Sequence, residues 1–159
     1  MKPIQSISTL VLLFLIVPAA LAQEGRLLVA EKAEKKLAVF NGTTGELIAA
    51  IPVGGTTGHE VTASPDGRMA YVPIYGDSGV GQPGSDGSNM VAIDLASMKV
   101  TGNLDFGHGV RPHLPVFGPK DGLLYVTTEL DQSVTIVDPK TLKIVGSIPT
   151  GQADRKSVV

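Results

Sequence analysis

Three histidines, His59, His108 and His113, and one arginine, Arg111, are the residues of this 159-residue chain whose types and spacing could do chemistry. Imidazole can shuttle protons or ligate a metal, and guanidinium can hold a carboxylate or phosphate through a forked pair of hydrogen bonds. His59 and His113 stand at matching points, each a few residues after a glycine (Gly54, Gly107) that ends a run of alternating residues. With Arg111 they would form a polar, partly cationic rim suited to a small anion or a metal. The competing role is structural. A histidine that recurs with a repeat fixes a loop by bonding a backbone carbonyl, and recurrence favours that role.

A metal pair made of His108 and His113 has little behind it. Gly109 and Pro112 make the intervening stretch a loop rather than a helical face, and a third and fourth ligand cannot be named. Glu60 neighbours His59, but adjacent residues on a strand point to opposite faces, so the two are not expected to cooperate as acid and base. Asp66 and Asp121 sit in Pro/Gly turns, and turn formation accounts for them. The chain has no Gly-x-Ser-x-Gly elbow and no phosphate-cradling loop. It has no cysteine, which excludes disulfides and thiolate metal sites. The candidate ligand-binding set is therefore His59, Arg111 and His113, with no catalytic residue, no metal and no cofactor expected.

The elements that must position these residues are read most clearly in Leu123 to Gly151. Leu124 to Thr128 is β-branched and aromatic, as a strand prefers. Glu129 to Gln132 is a short polar turn, and Ser133 to Val137 alternates with period two. Asp138-Pro139-Lys140-Thr141 is turn chemistry. Ile144, Gly146 and Ile148 then alternate with Val145 and Ser147. Three strands joined by tight turns make an antiparallel meander. The unit recurs: Leu28-Val29, Tyr71-Val72 and Tyr125-Val126 align, as do Val39-Phe40-Asn41, Ala92-Ile93-Asp94 and Ile136-Val137-Asp138. The step from Asn41 to Gly54 equals those from Asp94 to Gly107 and from Asp138 to Gly151. A further strand precedes the second and third copies, at His59 to Ser64 and His113 to Phe117, and each runs into a Pro/Gly turn. The full unit is thus four strands over roughly forty to fifty residues, the size of a propeller blade.

At SPDGRMAYV, at LYVTTELDQSVTIVDPKTLKIVGSIPTG and at Arg111-Pro112-His113 the chain resembles the YVTN-repeat β-propellers, including the YncE-like secreted proteins. The resemblance covers nearly all of the chain after residue 25. It implies an all-β fold of four-stranded antiparallel blades, here an incomplete ring of about three, in a family whose rings usually have seven. It implies little about activity.

The organisation expected is a signal peptide over 1–22, a partial β-propeller over 23–151 with blade units near 26–54, 59–107 and 112–151, and an out-of-pattern tail over 152–159. Lys2, the apolar run Leu10 to Val17 and the small residues Ala20-Leu21-Ala22 read as a cleaved leader. The apolar run falls short of the ~20 residues that a membrane span needs, so no membrane association is expected after cleavage. Glu31 to Lys36 is read as a solvated turn. Gly76 to Ser88 is a Gly-rich surface insertion, in which Asp77 and Asp86 lack the ordered alternation of a calcium loop, so a flexible lip is expected. After Gly151 the repeat stops abruptly. An open stack of blades leaves unpaired faces and edges, so a longer gene is expected, with Asp154 to Val159 not native.

Loss of Lys2 with the leader takes one of the 13 basic residues and none of the 15 acidic ones, leaving a small negative balance. No basic stripe supports nucleic-acid binding. The function expected is that of an exported, periplasmic or extracellular binding or scaffold module for a protein or small-molecule ligand. The alternatives are a lactonase-like propeller enzyme and a surface-layer structural protein. A single-copy cluster of ionisable residues at one channel mouth would favour catalysis, and ring-wise repetition would favour binding or scaffolding.

Overall fold

The computed structural model describes residues 25–56, 58, 60–77 and 83–151. The expected leader, His59, residues 78–82 of the Gly-rich insertion and the tail after Gly151 lie outside the described residues. Eleven strands form three antiparallel sheets in chain order, and no helix occurs among the described residues. The first sheet holds β1 (Arg26–Glu31), β2 (Lys36–Asn41) and β3 (Leu47–Pro52). The second holds β4 (Thr62–Ala63), β5 (Met69–Gly76), β6 (Asp86–Asp94) and β7 (Lys99–Asp105). The third holds β8 (Pro112–Phe117), β9 (Leu124–Thr128), β10 (Ser133–Asp138) and β11 (Lys143–Pro149). Each is a meander of neighbouring strands, the blade that the repeat predicts.

The repeat is visible atom by atom. Val39 pairs with Leu28, Ala92 with Tyr71 and Ile136 with Tyr125, so the aligned sequence positions are the same place in three sheets. The carboxamide or carboxylate oxygen at the end of the penultimate strand accepts backbone N–H groups of the following turn. Asn41 Oδ1 takes Thr43 and Thr44 at 2.8 and 2.9 Å, Asp94 Oδ1 takes Ala96 and Ser97 at 3.0 and 2.6 Å, and Asp138 Oδ1 takes Lys140 at 2.9 Å. This is why Asn or Asp stands there. Gly54, Gly107 and Gly151 all have left-handed backbone, with φ of 69°, 85° and 77°, and let the chain leave the outer strand.

The outer strands depart from simple alternation. In every blade one residue is inserted at the same register step, Ile48, Thr101 and Val145. Ile144 consequently pairs with Val137 while Gly146 pairs with Ile136, so Ile144 and Gly146 point to opposite faces. The extra residue of the bulge breaks the period of two expected across Ile144 to Ile148.

Two layers of core lie between the three sheets. Leu37, Val39, Ile51 and Val53 of the first sheet pack on Ala70, Val72, Ile74, Val91, Ile93 and Leu95 around the second. The other face of the second sheet presents Tyr71, Met90, Ala92 and Leu104 to Leu124, Val126 and Val137 of the third. The middle blade is thus apolar on both faces, and burying each such side chain contributes about 1.5–3 kcal/mol.

The innermost strands are the least regular. The second blade's inner strand, expected from His59 to Ser64, is only Thr62–Ala63, with an isolated bridge from Gly58 to Ile74. Side chains draw this segment sideways toward β8: Glu60 accepts from the Leu114 N–H, and the Thr62 hydroxyl donates to the Pro115 carbonyl. The pairing of β8 with β9 skips between His113 and Val116, where Pro115 has no N–H to offer.

Candidate functional site

One end of the molecule gathers the connection that enters each inner strand, the turns 32–35 and 129–132, and the insertion between β5 and β6. At this end a charged network joins the second and third blades. It is positioned by backbone first. The Gly87 carbonyl accepts from both Val110 and Arg111, at 2.9 and 3.0 Å. On the other side, Leu130 N–H donates to Val110 O at 3.1 Å. The short loop before β8 is therefore wedged between two blades, and Arg111 sits there with left-handed backbone at φ 51°. That conformation is uncommon for a residue with a Cβ, and it delivers the guanidinium inward. Gly87 is required at its place: a Cβ would lie 1.7 Å from the Ile74 carbonyl oxygen.

Arg111 Nε donates to Asp86 Oδ1 at 2.7 Å, and its Nη1 donates to Glu129 Oε1 at 3.2 Å. The hydrogen bond that Arg111 donates to Asp86, and after it the one to Glu129, hold the guanidinium in its charged form against the cost of burial. Glu129 follows β9 directly and is almost fully buried. Its second oxygen accepts the Tyr75 hydroxyl at 2.9 Å and lies 3.9 Å from His113 Nε2. His113 Nδ1 is 3.1 Å from Glu60 Oε2, so the imidazole stands between two carboxylates. The Tyr75 ring faces His113 with centroids 4.4 Å apart, and the Arg111 guanidinium carbon lies 5.9 Å from the Tyr75 centroid. Three carboxylates thus surround one guanidinium and one imidazole. Asp86 is the most exposed member and Glu129 the least.

Of the residues that the sequence singles out, Arg111 and His113 are brought together here. His59 lies outside the described residues. His108 stands apart on the rim, where its Nε2 is 2.8 Å from Asp131 Oδ1. That hydrogen bond raises the imidazole above its ordinary pKa. Glu60 reaches His113 of the next blade, a partner that reading along one strand could not reveal. Asp77 accepts from the Ser85 N–H and hydroxyl, both at 2.6 Å, and closes the base of the insertion.

Glu129, Tyr75 and Asp86 are the members that sequence reasoning missed. A signal for the first two existed. The repeat aligns Lys32, Tyr75 and Glu129 on one position, and three copies with three different chemistries mark a place that the fold does not dictate. At the opposite end two grooves do follow the repeat. One, of about 310 Å³, lies beside Arg26, Leu28 and Leu95, and the other, of about 550 Å³, beside Tyr71, Phe117 and Pro139.

No family model matches the chain, and no curated protein matches it. Solved structures do. Kuenenia stuttgartiensis hydrazine synthase aligns with TM-score 0.61 and 22% identity over 77% of this chain and 33% of that one. The dihydro-heme d1 dehydrogenase NirN, in complex with DHE, aligns with TM-score 0.58 and 17% identity over 78% of this chain and 25% of that one. Both neighbours are β-propeller proteins, and the three blades described above are propeller blades. The chain is a β-propeller module that spans about a third and a quarter of the lengths of these two neighbours.

Proposed function

We propose that this chain is an exported propeller module of the YVTN-repeat type that binds a ligand or partner at the end where Arg111, His113 and Glu129 meet. What supports a site at this end is the network's failure to follow the repeat, and a single-copy ionisable cluster of this kind also favours the second reading, a lactonase-like propeller enzyme. Turns, bulges and core recur from blade to blade, as structural devices do, whereas the position shared by Lys32, Tyr75 and Glu129 changes chemistry each time. Export is supported by the leader-like residues 1–22, and membership of the YVTN-repeat group by the unit Leu124 to Gly151.

The charge balance selects the ligand. Glu60, Asp86 and Glu129 outnumber Arg111, and the carboxylate nearest solvent is Asp86. An anion would have to displace Asp86 from the guanidinium. A cationic or hydrogen-bond-donating group is instead attracted by the excess of carboxylates, of which Asp86 is the one most open to solvent. The mouth therefore takes an amine or guanidinium group, on a small molecule or on a protein side chain.

Thermal unfolding of the 159-residue chain with arginine methyl ester, spermidine or citrate tests this. The two cations are expected to raise the midpoint in proportion to the logarithm of concentration, and Asp86→Asn to weaken that effect about ten-fold. Stabilisation by citrate alone, or by none of the three, would overturn the reading. Export is checked by fusing residues 1–30 to a reporter enzyme that is active only outside the cytosol.

A further inference from the structure

The three blades carry an internal control for what each sheet face is built to meet. Call the face toward the next blade in sequence the forward face, and the other the rear face. The middle blade is covered on both. The first blade's rear face, Ala38 apart, and the third blade's forward face present residues more exposed than their covered counterparts at the same position.

On the forward side Ile148 is 47% exposed, while its counterparts Leu104 and Ile51 are 4% and 5% exposed. Val134 and Ile136 are half-buried, whereas Met90, Ala92, Leu37 and Val39 in the same places are buried. On the rear side Val29 is 36% exposed, against 1% for Val72 and 0% for Val126. Leu27 is exposed where Ala70 and Leu124 are fully buried. Outer-strand residues give the contrast: Leu47, Val100 and Ile144 share one position and all three are exposed, neighbour or no neighbour. The openings at Ile148 and Val29 are therefore uncovered joint surface rather than the ordinary exposure of a blade's margin.

The two open faces match. Forward faces present Leu28, Leu37, Val39 and Ile51 in the first blade, Tyr71, Met90, Ala92 and Leu104 in the second, and Tyr125, Val134, Ile136 and Ile148 in the third. Each of the first two receives a rear face made like that of Leu27, Val29, Ala38 and Phe40. We propose that the third blade of one copy docks on the first blade of a second copy, head to tail, through the same joint that the molecule builds twice within itself. Further repeats would supply such a face in a longer chain, but this chain already carries both halves. The contact is heterologous, joining two different surfaces, so it either closes a ring or continues.

Sedimentation velocity on the 159-residue chain over a concentration series is the test. A species of at least twice the chain's mass is expected. Ile136→Lys, on the forward face, and Val29→Lys, on the rear face, should each weaken self-association about thirty-fold or more. Val100→Lys, at the exposed margin, should leave it unchanged. Mixing the Ile136→Lys and Val29→Lys chains should restore a one-to-one complex, since one intact joint survives between them. Far-ultraviolet circular dichroism of each variant, unchanged from the parent, keeps loss of assembly distinct from loss of fold. A parent chain that is folded and monomeric at every concentration would sink the proposal. So would assembly that one substitution abolishes and mixing does not rescue, because that is the behaviour of a symmetric face-to-face pair.

Discussion

The joint between the first and second blades and the joint between the second and third are built alike at one end and differently at the other. At the far end each is latched to the same carbonyl position. Arg26 Nη1 donates to Leu95 O at 2.5 Å across the first joint, and the Tyr71 hydroxyl approaches Pro139 O at 3.4 Å across the second. In the middle both are apolar. At the mouth the third blade brings to the second joint a buried carboxylate, Glu129, inside a web of donors, whereas the first blade has an exposed Lys32 at that position of the repeat. What recurs is what any blade needs in order to stack. What differs is available for recognition.

The sharpest way to break this contrast is to remove the buried carboxylate. Glu129→Ala removes the acceptor of one Arg111 hydrogen bond and of the Tyr75 hydroxyl bond at a buried position, and should cost about 3–5 kcal/mol in urea unfolding. Lys32→Ala, at the matching place, should stay within about 0.5 kcal/mol. Equal costs would mean that the mouth is no special region.

The apolar layers offer a second comparison. Met90→Ala, in the covered middle blade, should cost about 2–5 kcal/mol through lost burial and a cavity. Val134→Ala occupies the same position on the open third blade and should cost about 1 kcal/mol or less, measured by the same denaturation. If the second copy covers that face, the gap between the two narrows as protein concentration rises.

The smallest effect is at the rim. Asp131 raises the His108 pKa, so the pair's contribution to stability is fully present below the ordinary histidine value of about 6.5. It is lost as pH rises through the higher folded-state value. Nuclear magnetic resonance titration of His108 should show the raised midpoint, and Asp131→Asn should return it toward the ordinary value.

Much of the fold was legible because its determinants are local. Asn41, Asp94 and Asp138 announce a turn through hydrogen bonds two or three residues away. The alternation in Ser133 to Val137 needs only its own strand. The bulged outer strands were not legible, since an inserted residue shows only against a partner strand. The candidate site was half legible. Arg111 and His113 stood out by type and by repetition, but Glu129, Tyr75, Asp86 and Glu60 reach them from elsewhere in the chain, through backbone that fixes no short-range pattern. Sequence reading set Glu60 apart from His59, but nothing along that strand pointed to His113 of the next blade.

The bulges at Ile48, Thr101 and Val145 bear on how such a chain tolerates changes of length. Each sets the phase of everything outward of it, so deleting one of these residues would turn the remainder of its outer strand inside out, core side to water. A deletion in the insertion between β5 and β6 would shift nothing. Natural gain and loss of residues should accumulate at the mouth and be purged from the hairpins beneath it, which leaves that end free to diversify while the wedges that carry it keep their measure.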